Sequence, residues 1–371
     1  MNPYIPDGLP LQNLDYQMLL GLVGDANAEL ARYDGLLQGI PNPAVMLSPL
    51  TTREAVLSSK IEGTQATVDE VLEQEAGLIK EGEKYKDIQE ISNYRLALSQ
   101  AAQHLLDYPI RLALIREIHK ILLNSVRGKD KTPGEFRVDQ NWIGKAGCSI
   151  EEASFVPPDP VRMLDFLRDW ESYIGFNDID LLLQAAIVHA QFELIHPFKD
   201  GNGRIGRILI PLFLYSKKKL SQPMFYLSEY LEANRDEYYQ RLRNISEEHD
   251  WDGWIAFFLK AIIHQAKENG QRVHTIMSLY DNMKSRIHEI THSQYSVYLL
   301  DAIFNKPIFK TSDCANQLHN QYGIHKQTTL GLLRQLKEEN ILLELQAGSG
   351  RRAATLCFTE LVNRAEGHIV L

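Results

Sequence analysis

The chain has 371 residues, room for two or three domains with cores of their own. Its 44% hydrophobic and 23% charged residues are those of an ordinary globular protein, and its net charge of −9 speaks against a nucleic-acid coat protein or a membrane-surface binder. The three cysteines, Cys148, Cys314 and Cys357, are too far apart for a disulfide framework or a zinc site and point to a reducing, cytoplasmic setting. Met1 to Leu20 lacks a basic stretch followed by an apolar one, so no signal peptide is read. The most apolar stretch, Ile179 to Ile195, is interrupted by Asp180, His189 and Glu193, so no membrane span is expected.

The predicted elements are mainly helical. Residues 1–105 read as an N-terminal helical region that opens on Pro3, Pro6 and Pro10 and contains a Pro41-Asn42-Pro43 turn. Within it, Thr51 to Gly63 reads as one helix: Thr51 and Glu54 fit a capping box, and Gly63 fits a C-terminal stop. Ser58 and Glu62 are four apart and share a face. Glu62 falls in the last turn, where the helix dipole disfavours a carboxylate by up to about 1 kcal/mol unless a cation compensates.

Residues 106–272 read as a second region. Asn141-Trp142-Ile143-Gly144, then Gly147-Cys148-Ser149-Ile150, then Ser154-Phe155-Val156-Pro157-Pro158 predict a short β-hairpin. Ile179 to Ile195 is apolar around nearly its whole circumference, as a buried central helix would be, and gives the loop at its C-terminal end a rigid support.

That loop and the residues after it read His196-Pro197-Phe198-Lys199-Asp200-Gly201-Asn202-Gly203-Arg204-Ile205-Gly206-Arg207. Pro197 pushes His196 out of the right-handed helical region, so the helix ends there. Gly201 and Gly203 permit a tight turn that bares backbone N–H groups. The apolar pattern resumes at Ile205, so a helix is expected from Asn202, and Pro211 should perturb it. A glycine-rich turn opening a helix is an anion site. Arg204 and Arg207 share a helix face and suit phosphate oxygens. Asp200 is a hard oxygen ligand of the kind Mg²⁺ on a polyphosphate requires. His196, with an ordinary pKa of about 6.5, suits general-base work.

Beyond a linker helix at 273–290, residues 291–371 form a separate module. Thr311 to Leu318 and Lys326 to Glu339 are helical patterns joined at Tyr322-Gly323. Ile341 to Gln346 and Ala353 to Phe358 are strand-like, joined by Gly348-Ser349-Gly350-Arg351-Arg352. Helix, helix, strand, turn, strand is a winged-helix pattern. Asp281 to Leu371 holds ten Lys/Arg against nine Asp/Glu, a thin balance for binding DNA phosphates. Even so, Lys326, Arg334 and Lys337 lie on or near the second helix, and Arg351-Arg352 tip the wing. DNA contact and protein docking both stay open for this tail.

The run from His196 to Arg207 is similar to the signature of the Fic family, HPFx[D/E]GNGRxxR, at every defined position. Most characterised members transfer AMP from ATP to a protein hydroxyl. The resemblance implies that His196 deprotonates the target hydroxyl, Phe198 anchors the loop, and Asp200 holds Mg²⁺. It also implies that Gly201, Asn202, Gly203 and Arg204 cradle the α- and β-phosphates while Arg207 reaches the γ-phosphate. The family's kinase variant carries lysine for the second glycine, which Gly203 argues against. Ser58-Ser59-Lys60-Ile61-Glu62-Gly63 resembles the family's inhibitory motif, [S/T]xxxE[G/N]. On that likeness Ser58, Glu62 and Gly63 form a brake in which Glu62 pairs with Arg207. Some members of this class also run the reverse reaction and remove AMP.

The fold implied is mainly α: a Fic helical core with a short β-hairpin flap, and a C-terminal winged-helix domain like that on some Fic proteins. The flap, near 143–156, would dock the target protein by main-chain pairing. Asn234 and Tyr239, within a helical stretch rich in tyrosine, would line the adenine pocket. A homodimer and a DNA duplex are further candidate partners. Two rival functions remain. His189, Glu193 and His196 share one helix face at metal-ligand spacing, which would suit a hydrolase, although a buried, hydrogen-bonded His189 explains the first of them. The tail would suit a transcriptional regulator whose core only senses nucleotide.

Overall fold

In the computed structural model, which describes residues 2–40, 42–78, 83–124, 131–145, 147–350, 352–367 and 369, the chain is mainly helical. The order is α1 (Tyr16–Gln38), α2 (Pro43–Met46), α3 (Ser48–Ile61), α4 (Val68–Glu75), α5 (Glu83–His104), α6 (Leu112–Leu122), α7 (Pro160–Gly175), α8 (Leu181–Ile195) and α9 (Asn202–Ser216). Then come α10 (Ser228–Ala233), α11 (Arg235–Glu248), α12 (Trp251–Thr291), α13 (Ser296–Asn305), β1 (Ile308–Lys310), α14 (Thr311–Tyr322), α15 (Lys326–Glu338), β2 (Leu343–Gln346), β3 (Thr355–Cys357) and α16 (Thr359–Glu366). No described helix is long and apolar enough to cross a membrane.

The chain divides into two compact units. The first comprises Met1–Gly35, Leu57–Thr64 and Gln89–Lys267. Its centre is α8, which is buried on nearly every side. The Asp180 carboxylate caps this helix, accepting from the N–H of Leu182 and Leu183 at 2.7 and 3.2 Å. The helix therefore starts at Leu181, two residues later than Ile179, which is 74% exposed. Two indoles hold α8 by its own carbonyls: Trp170 donates to Val188 O at 2.8 Å and Trp254 to Ala186 O at 2.9 Å. The helix ends at His196 in the left-handed region, φ 49°, because Pro197 denies that residue the right-handed helical conformation. A non-glycine residue there costs about 1–2 kcal/mol, which the surrounding packing must offset.

Helix α9 begins at Asn202 as expected, but it runs through Pro211 to Ser216 without ending. Proline removes one N–H, so Arg207 O loses the partner four residues on, and a single such loss is tolerated inside a buried helix. Helix α3 begins at Ser48, three residues before the predicted Thr51. Pro49 sits in its first turn, where a missing N–H costs nothing, and Thr51 N already donates to Leu47 O. Thr51 is therefore an interior residue of the helix, not its N-cap.

The expected hairpin is reduced to one antiparallel bridge, Ile143 to Phe155. Ile143 N donates to Phe155 O at 2.9 Å, and Ser154 N donates to Ile143 O at 2.8 Å. Between them Ser149 and Glu152 form a capping box that favours a short 3₁₀ turn, Ile150–Glu152, over extended chain. Pro157 and Pro158 then remove the donors a longer ladder needs. Ala146 lies outside the described residues. The N-terminal lead lies against this flap, with Tyr4 N donating to Val156 O at 2.9 Å.

The second unit comprises Leu36–Val56, Gln65–Ile88 and Glu268–Leu371. Its sheet is antiparallel in the order β1-β3-β2, with Ile308 and Leu343 both opposite Cys357. Helix α14 runs to Tyr322, four residues beyond Leu318, and stops at Gly323, φ 68°. Strand β1 and helix α16 were not predicted: three residues are too few to show alternation, and Thr359 to Glu366 carries little apolar length. The range 273–290 lies inside the unbroken α12. Pro41 and Arg351, part of the predicted turn and wing tip, lie outside the described residues.

Candidate active site

Between α8 and α9 the motif loop is closed by one side chain. Asn202 accepts from Phe198 N through Oδ1 and donates to Phe198 O through Nδ2, each at 2.9 Å. Phe198 is fully buried and stacks on His119, ring centroids 3.8 Å apart. His119 ties the loop further: its Nε2 lies 3.2 Å from Asp200 O, and its Nδ1 accepts from Gly134 N at 2.8 Å. Gly201, φ 80°, turns the chain into α9 without a side-chain cap, so the first N–H groups of that helix are left for an anion.

A cleft of about 770 Å³ opens beside this helix start, walled by Glu62, Glu193, His196, Gly203, Arg207 and Tyr239. Arg207, only 2% exposed, is held there through its Nε and Nη2. Its Nε donates to Ser58 Oγ and its Nη2 to Ser58 O, both at 2.8 Å, and Nη2 also donates to Glu62 Oε1 at 2.7 Å. Glu62 sits just past the last turn of α3, and Gly63, φ 98°, releases the chain behind it. Glu62 also lies over the start of α9, since a Cβ on Gly203 would stand 2.3 Å from its Oε1. Burial would raise the Glu62 carboxyl, but the charge and hydrogen bond of Arg207, with Arg204 and His196, outweigh it and the net shift is downward. Lys60 anchors the same turn through Glu232 at 2.9 Å.

His196 is half-buried on the cleft wall, its Nδ1 3.2 Å from Glu193 O. Burial pushes it down to about 4, so it is neutral at physiological pH and has a lone pair to accept a proton. Arg204 does not wall the cleft. It is held between Glu90 Oε2 at 3.1 Å and Asp200 Oδ1 at 3.2 Å. Asp200 is exposed on the loop and, like Arg204, is not one of the cleft walls, its Oδ1 also accepting from Gly201 N at 2.6 Å. A single exposed carboxylate suits Mg²⁺ shared with phosphate oxygens and water, and among the described residues no group of three side chains could hold a metal unaided.

Of the predicted residues, the fold brings Glu62, His196, Gly203, Arg207 and Tyr239 to one cleft, with Ser58 directly behind Arg207. Phe198, Gly201 and Asn202 build the loop beneath it. Asn234 is not on the wall, and its amide donates to Tyr230 O at 2.9 Å. The metal-ligand reading of His189 fails geometrically, because its Nδ1 lies 2.9 Å from Gly206 O and its Nε2 3.0 Å from Tyr238 OH. Sequence reasoning gave no role to Arg137, His119 or Glu90. Arg137 lies in the Gly134-Glu135-Phe136-Arg137 run that precedes the flap. His119 and Glu90 sit in ordinary helical patterns with no local signal.

A family model described as Fic/DOC family N-terminal matches residues 20–103, and one described as Fic/DOC family matches residues 109–214. A probable protein adenylyltransferase of Aquifex aeolicus is 30% identical over 207 residues, covering 54% of this chain and 57% of that protein. The protein adenylyltransferase fic-1 of Caenorhabditis briggsae is 30% identical over 143 residues, covering 38% of this chain and 27% of that protein. The chain thus spans little more than half of the first relative and about a quarter of the second. In fold it is similar to a Fic family protein from Desulfovibrio desulfuricans G20, with a TM-score of 0.57 at 20% identity over 97% of this chain and 98% of that one.

Proposed function

The chain belongs to the Fic/DOC family, and from that premise we propose that it transfers AMP from ATP to a Ser, Thr or Tyr hydroxyl of a target protein, and of itself, under restraint by Glu62. Neutral His196 takes the hydroxyl proton, the oxygen attacks the α-phosphorus in line, and pyrophosphate leaves. The free N–H groups at the start of α9 face the α- and β-phosphates, Arg204 is assigned to the same phosphates once released from Glu90 and Asp200, and Arg207 serves the γ-phosphate. Asp200 would hold Mg²⁺, which when bound neutralises charge on the triphosphate. Tyr239 on the cleft wall and Asn234 between α10 and α11 are assigned to the adenine side, and the flap near 143–156 to the target.

The observation that carries this reading is the contact of Glu62 with both Arg207 and Gly203. One carboxylate covers the cation and the helix start that a triphosphate would use. Incubation with labelled ATP tests it. Glu62→Gly should raise labelling by roughly ten-fold or more, the return of about 1.4 kcal/mol of phosphate binding, and a further His196→Ala should abolish it. Equal labelling by the wild type and Glu62→Gly would remove the brake, and no labelling by either would remove the transfer.

For the domain division we propose 1–105, 106–272, 273–290 and 291–371, the last a winged helix. The order β1-α14-α15-β2-β3 supports that last assignment. On α15, Lys326, Gln327, Thr328 and Arg334 are exposed, which makes a DNA duplex its candidate ligand. Salt-dependent binding in a fluorescence assay, with and without ATP, is the test. A homodimer is to be checked by sedimentation.

A further inference from the structure

Glu193 is a carboxyl that the proposed chemistry leaves unused. It stands on α8 one turn before His196, on the wall of the cleft that holds Gly203 and Arg207. Its carboxyl fills the space a side chain at position 206 would take: a Cβ on Gly206 would lie 2.2 Å from Glu193 Oε1 and 3.2 Å from the His189 ring. That oxygen is buried and has no hydrogen-bond partner. The fold therefore reserves a place for this acid and leaves it unsatisfied, which is costly unless a ligand or a proton compensates.

The groups around it decide its charge. From α9 it faces Arg207, from the turn after α3 Glu62, from α11 Tyr238 and Tyr239, and on α8 itself His189 and His196. Arg207 attracts a negative charge, but its Nε and Nη2 are committed to Ser58 and Glu62. Burial dominates, and Glu62 adds to it, so the Glu193 carboxyl is pushed up to about 8 despite Arg207. At neutral pH the wall beside Arg207 thus carries a neutral acid.

A triphosphate at neutral pH presents only acceptors, so the surface that binds it must present donors. A neutral carboxyl is a donor, whereas an ionised one is a like charge. We propose that Glu193 binds the nucleotide as a neutral acid, donating its carboxyl hydrogen to a phosphate oxygen beside Arg207. The inference rests on the nucleotide-transfer reading of the cleft. It also accounts for Gly206, since a side chain there would push the acid off the wall. Above its titration Glu193 must regain a proton from solvent before a triphosphate settles.

The test uses the full chain carrying Glu62→Gly, titrated calorimetrically with Mg²⁺ and ATP, against the same chain with Glu193→Gln or Glu193→Ala. Glutamine keeps a donor and cannot ionise; alanine removes it. With Glu193 present, affinity should fall by about ten-fold or more from pH 7 to pH 9, because one required proton is lost and the Glu62→Gly change removes a charge that raises Glu193. With Gln it should change by less than about two-fold and exceed the Glu193 chain at pH 9. With Ala it should be weaker at both. Binding near pH 8.5, repeated in buffers of different ionisation heat, should take up a proton only in the Glu193 chain.

The same pH dependence in the Glu193 and Gln chains, or no proton uptake, overturns the proposal. AMP transfer accompanied by pH-independent affinity overturns the role of Glu193 alone. The expected pH dependence without any AMP transfer supports Glu193 while rejecting transfer. No ATP binding at either pH rejects both. Thermal melts of each variant confirm that the fold is kept.

Discussion

Arg137 Nε donates to the backbone carbonyl of His196 at 2.9 Å, so the base is held by its main chain while its ring stays free for a proton. The same guanidinium reaches Pro158 O at 2.5 Å, Asp139 O at 3.3 Å and Ile195 O at 3.4 Å, and Arg137 N donates to Pro197 O at 2.9 Å. One planar fork thus joins the end of α8, the motif loop and the flap. Arg137→Ala should lower the unfolding free energy by about 3 kcal/mol, through buried carbonyls left without donors. Arg137→Lys should lose roughly half of that, because an ammonium cannot serve the same set of acceptors. Urea unfolding measures both, and AMP transfer by the lysine variant in a Glu62→Gly chain should fall mainly in kcat.

Acid should destabilise the first unit. Burial holds His119 and His196 at about 4 and His189 at about 3, against about 6.5 unfolded. The unfolded chain binds these protons first, so the stability they contribute is complete above about pH 6.5 and is lost as pH falls toward 4. His119 and His196 each contribute at most about 3 kcal/mol and His189 at most about 5 kcal/mol. Glu193, raised to about 8, acts in the opposite sense: its contribution is complete below about pH 4.5 and is lost as pH rises to 8. Melting temperature against pH should therefore peak between these limbs. Glu193→Gln should flatten the alkaline limb and leave the acid limb in place.

Arg204 and Glu90 form a buried pair, with side chains 6% and 14% exposed. Breaking such a pair strands a charge, so Glu90→Ala should cost about 3 kcal/mol. Replacing both residues with leucine should recover part of that loss. A double-mutant cycle by urea unfolding gives the coupling directly, and a coupling near zero would show that Asp200 alone suffices to hold Arg204.

Asp200→Asn should leave the fold nearly unchanged, because the side chain is 46% exposed and its amide oxygen can still accept from Gly201 N. AMP transfer by the Glu62→Gly chain should then need roughly ten-fold more Mg²⁺, through the loss of one anionic ligand. A magnesium titration of labelling checks this, and an unchanged requirement would move the metal to another residue.

The helical class, the boundary at His196 and the start of α9 are all legible in the chain, because each is set by residues next to it. Pro197 ends α8, Gly201 turns the loop, and the apolar pattern from Ile205 opens α9. The three-residue spacing of Arg204 and Arg207 and the four-residue spacing of Ser58 and Glu62 are equally plain. The hairpin is misread where two local signals compete. Strand-like residues flank Ser149 and Glu152, and the capping box between them prevails over the ladder.

The sequence by itself determined the chemistry available: a base, a bare helix start, two guanidiniums and an acid at the loop. Only the tertiary structure decided how these groups are engaged. It gives Arg207 to Ser58 and Glu62, Arg204 to Glu90 and Asp200, and the carbonyl of His196 to Arg137. It also sets Glu193 beside Arg207 and Glu62, where burial pushes its carboxyl up to about 8, although the buried helical pattern around it along the chain names neither neighbour. The reason is physical. Backbone conformation answers to neighbours along the chain, whereas the charge state and partner of a side chain answer to burial and to groups that arrive from distant elements.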